Sequence, residues 1–279
     1  MTRADRRKLA NGVFVALCGI ATAIALSLLV AILWALVGRG LGGMGILLFT
    51  SDQPAPGSIG GLRNAIVGSL IMCGLGMAGA LVIGILAGTW LAEYASGTRT
   101  AATVRFLNDV LLSAPSILIG LFVYELLVAP FGGFSGYAGA VALAFIATPI
   151  VVRTTEDILL LQPAELREAG MAVGAGRALV IRRIMWRAAR TGLLTGGLLG
   201  FARISGETAP LLFTSLGNQF FNADAAQPMA SLPTTIFQFA LSAYDQWQNL
   251  AWAGALLIAV AVLIVNIVGR ILARESHLS

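Results

Sequence analysis

Apolar residues in this chain fall into six long runs, at about 13–37, 65–91, 107–129, 137–152, 191–213 and 250–272, with polar segments between them. A helix needs ~20 residues to cross ~30 Å of hydrocarbon, so five of these runs are long enough to span a bilayer. The run at 137–152 is the shortest; it either continues toward Arg153 or breaks at Thr148-Pro149. The pattern predicts an all-α, polytopic membrane protein of about six transmembrane helices, because only helices and closed barrels satisfy their backbone inside lipid. Pro115, flanked by Ser113 and Ser116, predicts a kink in the third run. The segment 214–249 holds a short apolar stretch, 236–241, between Pro228, Pro233 and the acids Asp224 and Asp245. It is too short to cross and reads as an ordered outer loop, a re-entrant piece or a docking surface for an external partner.

Composition agrees. Hydrophobic residues make up 58% of the 279 and charged residues 11%, against about 25% charged in soluble domains. The basic balance, a net +5, does not indicate nucleic-acid binding, because the basic residues cluster at the ends of apolar runs rather than over one polar face. The N-terminus carries Arg3, Arg6, Arg7 and Lys8, and the second interval carries Arg99 and Arg105. The fourth carries Arg153, Arg167, Arg177, Arg182, Arg183, Arg187 and Arg190, and the C-terminal end Arg270 and Arg274: fifteen in all, against Arg39 and Arg63 on the other side. The positive-inside rule places both termini in the cytoplasm. The first run exceeds the ~7–15 residues of a signal-peptide core, so it reads as a retained span. Cys18 and Cys73 lie in apolar runs and His277 is the only histidine, so no metal site, disulfide framework or cofactor is expected. The layout reads as a first helix and outer loop over 1–62, a core over 63–273 with a cytoplasmic loop at 153–190, and a tail at 274–279.

Within the spans, Gly84 and Gly88, and Gly192, Gly196 and Gly200, form small-residue stripes that let helices approach closely in lipid. Arg203 and Glu207 are four residues apart in the fifth run, hence on one helix face. An ionised group at mid-span costs ~2.5–3.5 kcal/mol on insertion scales. Two such groups are either a buried ion pair that locks packing or the charged lining of a polar pathway. The neighbours favour a pathway: Ser205, Thr208 and Thr214 supply hydroxyls, and Gly206 and Pro210 weaken the helix. A guanidinium matches an oxyanion in charge and in its fork of donors, and a tethered carboxylate would keep that anion from binding too tightly.

The interval 162–190 holds a second constellation. Pro163 stands at a helix start, with Glu165 and Glu168 in the first turns, and Gly174-Ala175-Gly176 breaks a short helix from a basic one. A short helix on a stiff support fits a groove in another protein, although an ordinary solvated basic loop would read similarly. Glu168-Ala169-Gly170, Gly174 and Ile184 are spaced as in the EAA loop of ABC-importer permeases, which this stretch resembles; Gly170 replaces an alanine and Trp186-Arg187 a Leu-Pro. The resemblance implies a type I ABC importer permease fold, with Glu168, Ala169 and Gly174 on a helix that docks on a separate ATPase.

Further blocks carry the resemblance to the phosphate-specific permeases of the PstA family. They are Asn108-Asp109-Val110-Leu111-Leu112-Ser113-Ala114-Pro115, Ala202-Arg203-Ile204-Ser205-Gly206-Glu207-Thr208-Ala209-Pro210, and Leu232-Pro233-Thr234-Thr235. What it implies is a pathway subunit of an ATP-driven phosphate importer in the bacterial inner membrane, surrounded by lipid. The implied partners are a PstC-like sister permease, two PstB-like ATPase subunits and a PstS-like extracytoplasmic binding protein, with inorganic phosphate as cargo. Lys8 is the only lysine, so the chain has no Walker A signature and is not itself an ATPase. Other readings are a permease for sulfate, molybdate or phosphonate, a carrier acting alone, or an intramembrane enzyme; no His-based or paired-Asp motif supports the last.

Overall fold

A computed structural model describes residues 2–275; His277 and the end of the tail, 276–279, lie outside the described residues. Among the described residues the regular structure is entirely helical. Among the described residues, four helices are long and apolar enough to cross a membrane, and a bent pair makes a fifth if it is one span.

The helix α1, Arg3–Gly40, opens with a capping box: the Thr2 hydroxyl accepts from the Asp5 backbone N–H and the Asp5 carboxylate accepts from that of Thr2. A one-turn helix, α2, Ile46–Thr50, leads to α3, Arg63–Glu93. Next come α4, Arg99–Ser113, and α5, Ser116–Val123, which continues as a π-helical turn through Val128. The two meet at 105°. The kink expected at Pro115 is therefore nearly a right angle, with Pro115 capping α5 where its missing N–H costs nothing.

The fourth run does not break at Pro149. Helix α6, Gly136–Leu160, continues eight residues beyond the apolar window that ended at 152. Its packing against α3 forms the spine of the molecule. A Cβ at Gly84 would lie 2.6 Å from the Val151 Cβ, and one at Gly88 2.6 Å from the Thr155 Cβ, so neither position has room for a side chain. Around this seam Met72, Met77, Leu143, Ile146, Val151, Ile204 and Leu211 are buried together.

The cytoplasmic interval expected at 153–190 contains α7, Ala164–Ala172, and α8, Arg177–Val180, followed by a π-helical turn over Ile181–Met185 and α9, Trp186–Ala188. The fifth run is not one helix. It is α10, Arg190–Ser205, and α11, Ala209–Thr214, separated at Gly206-Glu207-Thr208. Sixteen residues of α10 rise only about 24 Å, short of the hydrocarbon thickness. Pro210 in the first turn of α11 explains the break, since it has no N–H to give back to α10. Gly192 and Gly196 seat α10 against Ile158 and Thr154 of α6, and Gly200 faces Met77 of α3.

The stretch 236–241 is the second half of α12, Leu232–Ala240, with its C-cap; the helix is buried over 232–235 and at Phe239, while Phe237, Gln238, Ala240 and Leu241 are exposed. Ser231 caps it, the Ser69 hydroxyl accepts from the Leu232 N–H at 2.7 Å, and Phe239 stacks on Trp247 at 4.5 Å. Helix α13, Asp245–Glu275, completes the fold.

Candidate functional site

Arg203 lies in the last turn of α10, and Glu207 follows the helix in the break, where its N–H bonds the Ile204 carbonyl at 3.2 Å. The turn preserves their side-by-side placement, and Arg203 Nη1 approaches Glu207 Oε1 to 2.8 Å. The partners differ in environment: the arginine side chain is 57% exposed and the glutamate side chain 7%. Although close, Oε1 accepts no aligned hydrogen bond. The contact is thus a Coulombic pair, and it leaves the donors of the guanidinium fork uncommitted by geometry. Thr195, Leu199, Arg203 and Gly206 recur at helical spacing and are all exposed, so the guanidinium stands on a face that its own chain leaves open.

The other residues expected in the pathway are placed differently. Ser205 lies about 200° round the helix from Arg203 and lines an apolar cavity of about 240 Å³ with Cys73, Phe201 and Leu257. Its hydroxyl donates to the Phe201 carbonyl at 2.7 Å. Thr208 acts through its backbone, its carbonyl accepting the Leu211 and Leu212 N–H groups at 3.2 and 3.3 Å. Thr214 is fully buried and donates to the Pro210 carbonyl at 2.8 Å. Of the sequence candidates, the structure brings together Arg203 and Glu207.

The second site is the α7 segment. Glu168 and Ala169 are exposed, and Gly174 takes φ +80°, a left-handed conformation that ends the helix and suits glycine. Gly170 is buried, and a Cβ there would come within 2.9 Å of Val180 and Ile184, so α7 lies tight on the π-helical turn. Beyond it Met171 and Val173 are exposed, Val173 to 83%, which gives the tip an apolar surface.

The most densely bonded group here was counted from sequence only as a positive charge. Arg167 donates through Nε to both oxygens of Glu93 at 3.0 Å and through Nη2 to Oε1 at 2.7 Å. It also donates to the carbonyls of Gln162 and Leu159, at 3.1 and 2.7 Å. Trp186, standing where the resemblance leads one to expect leucine, donates its indole N–H to the Thr89 hydroxyl at 3.1 Å. The Arg177 guanidinium lies 4.8 Å from the Tyr94 ring centre. A similar pair, Arg105 with the buried Glu156 at 2.6 Å, ties α4 to α6. None of these pairs has a local signal, since Glu93 and Arg167 are 74 residues apart. No cluster of potential metal ligands forms among the described residues.

The chain thus combines long apolar helices, an interrupted helix that carries an exposed arginine, and a short helix with an apolar tip. Residues 80–276 match the family of binding-protein-dependent transport system inner membrane components. The Haemophilus influenzae phosphate transport system permease protein PstA is 52% identical over 95% of this chain and 94% of its own. A Xylella fastidiosa protein of the same name is 51% identical over 96% and 93%. The probable phosphate transport system permease PstA of Methanocaldococcus jannaschii is 34% identical over 93% and 92%. A solved structure of the MetNI methionine ABC transporter, facing inward, shares the fold at a TM-score of 0.65 and 19% identity, covering 77% of this chain and 95% of that one. The chain belongs to the binding-protein-dependent transport inner membrane components and, among them, to the PstA permeases.

Proposed function

We propose that this chain moves inorganic phosphate inward across the bacterial cytoplasmic membrane, sharing the pathway with a homologous sister permease. Two separate ATPase subunits power it, and an extracytoplasmic binding protein delivers the anion. Both termini and α7 then lie on the cytoplasmic side, residues 63–273 form the permease core, and 1–62 and 274–279 flank it. The single observation that carries the reading is the open Arg203 guanidinium at the α10–α11 break, paired with a buried carboxylate. In a low-dielectric site a free guanidinium would hold a phosphate too firmly for release. Glu207 supplies a built-in competitor: the anion displaces the carboxylate on entry, and the carboxylate reclaims the arginine as the anion leaves. The apolar tip of α7, with Glu168, Ala169 and Gly174, is the docking surface for the ATPase.

The relatives' names favour phosphate over other tetrahedral oxyanions, which the same fork would also fit. The test is uptake of labelled phosphate by vesicles holding the intact complex, with sulfate, molybdate and phosphonate as competitors. Phosphate uptake that resists the competitors and disappears in Arg203→Glu, with the subunits still co-purifying, is the expected result. Uptake that persists in that variant, or that sulfate competes away, overturns the assignment.

A further inference from the structure

Helix α3 is fastened at both ends by groups outside its own packing seam. At one end three side chains of the α7–α9 segment hold its last residues: Arg167 on Glu93, Trp186 on Thr89 and Arg177 over Tyr94. At the other end Asn64 Nδ2 donates to the Asn218 carbonyl at 2.7 Å, Ser69 accepts from Leu232, and Gly68 lies against the Ala230 carbonyl, too close to admit a Cβ. Those partners belong to the 215–232 segment, which follows α11 and therefore the Arg203–Glu207 break. Between the two ends, α3 passes beside α10, with Met77 against Gly200, one turn from Arg203.

From Asn64 to Glu93 the axis rises about 44 Å, and the glycine seam with α6 keeps it close-packed. A packed helix moves as a body, so a push at Glu93 reaches Asn64 undiminished. Apolar contact between α7 and the helices beneath it resists separation but not sliding. Three charge-assisted hydrogen bonds in fork geometry fix both position and direction. Glu93 is 4% exposed and so cannot exchange Arg167 for water without moving the helix end.

We infer that α3 is the transmission rod of the permease, and that the Arg167–Glu93 clamp couples the α7 segment to it. The inference rests on the reading of α7 as the surface that meets the ATPase. Arg167 is a positioning residue; it touches no substrate. The clamp converts movement of α7 into displacement of α3, and α3 carries it past Arg203 to the 215–232 segment.

The experiment uses the whole transporter in vesicles, with Arg167→Ala, Arg167→Lys and the nearly isosteric Glu93→Gln. Phosphate taken up per ATP hydrolysed should fall about tenfold in Arg167→Ala and Glu93→Gln, within the usual range of coupling energies. Arg167→Lys should fall less. ATP hydrolysis and co-purification of the ATPase should persist in all three. A second readout is independent of substrate: with Cys18 and Cys73 replaced by serine, Phe220→Cys reports the far segment through its rate of thiol labelling. ATP should change that rate where the Arg167–Glu93 clamp is intact and not in Arg167→Ala. An unchanged uptake ratio in both Arg167→Ala and Glu93→Gln overturns the proposal, as does loss of the ATPase from the complex in step with uptake. ATP-dependent labelling in a complex that carries no phosphate would refute the substrate reading and leave the rod standing.

Discussion

Two arginine–glutamate pairs in this molecule use the same chemistry for opposite ends. Arg203–Glu207 is local, joined through a single approach of 2.8 Å, and has an open guanidinium. Arg167–Glu93 joins residues 74 apart, with three contacts to the carboxylate and two more to carbonyls, and its arginine side chain is only 24% exposed. The difference lies in commitment. An arginine with four of its five N–H donors in use, like Arg167, cannot shift to a new ligand without breaking what it holds, whereas one bound by charge alone exchanges partners at small cost. Identical residue types therefore do not identify identical roles; the count of aligned donors does.

The largest effect that would test this contrast is charge reversal. Arg203→Glu places two carboxylates side by side at the break, and uptake should fall by about 100-fold or more while the complex still assembles. Gly88→Val strikes between the pairs. Its side chain would overlap Thr155 and the Val152 carbonyl, prising α3 from α6 at a cost of about 1–3 kcal/mol. Thermal unfolding of the purified complex should register that loss, and a preserved uptake ratio would show that α3 need not be tightly seated. Glu207→Gln should remove the competitor but keep the arginine, lowering both KM and kcat by about two- to fivefold as the anion lingers. A rise in KM would reverse the role given to Glu207. Gly170→Ala should do least. The atoms it meets are the ends of Val180 and Ile184, which can shift, so stability should change by within about 1 kcal/mol and uptake should stay near normal.

What the sequence made legible was whatever depends on local pattern. The first, second and sixth runs stand as α1, α3 and α13 because length and apolarity decide them. The end of α6 was hidden because Arg153, Glu156 and Asp157 close the apolar window. The helix continues through them since Glu156 is neutralised by Arg105 and Arg153 by Asp157 at 3.2 Å. The break at 206–208 was visible as a weakness in Gly206 and Pro210, but not as a full interruption of the fifth run, since either residue alone is tolerated in a membrane helix. Arg203 and Glu207 were legible as a pair because four residues bring them together in any helical turn. Ser205 was grouped with them by adjacency alone, and the helical rotation puts it on another face. Arg167 and Glu93 carry no mark in the chain: their meeting is a property of tertiary folding alone.

Helix α1 has a consequence of another kind. Its flanks are exposed along most of its length, and its footing is on α13, where Gly40 and Gly43 meet Leu256, Trp252, Asn249 and Ala253. It is 38 residues long, and its apolar run, 13–37, measures about 37 Å, a little beyond a hydrocarbon layer of ~30 Å. An apolar rod slightly longer than the layer, pinned near one end and ringed by arginines and a lysine at the other, accommodates the excess by tilting, to a degree that follows bilayer thickness. Thin membranes tip it further and thick ones draw it upright, so the lipid composition of the host sets the pose of the first helix without touching the core.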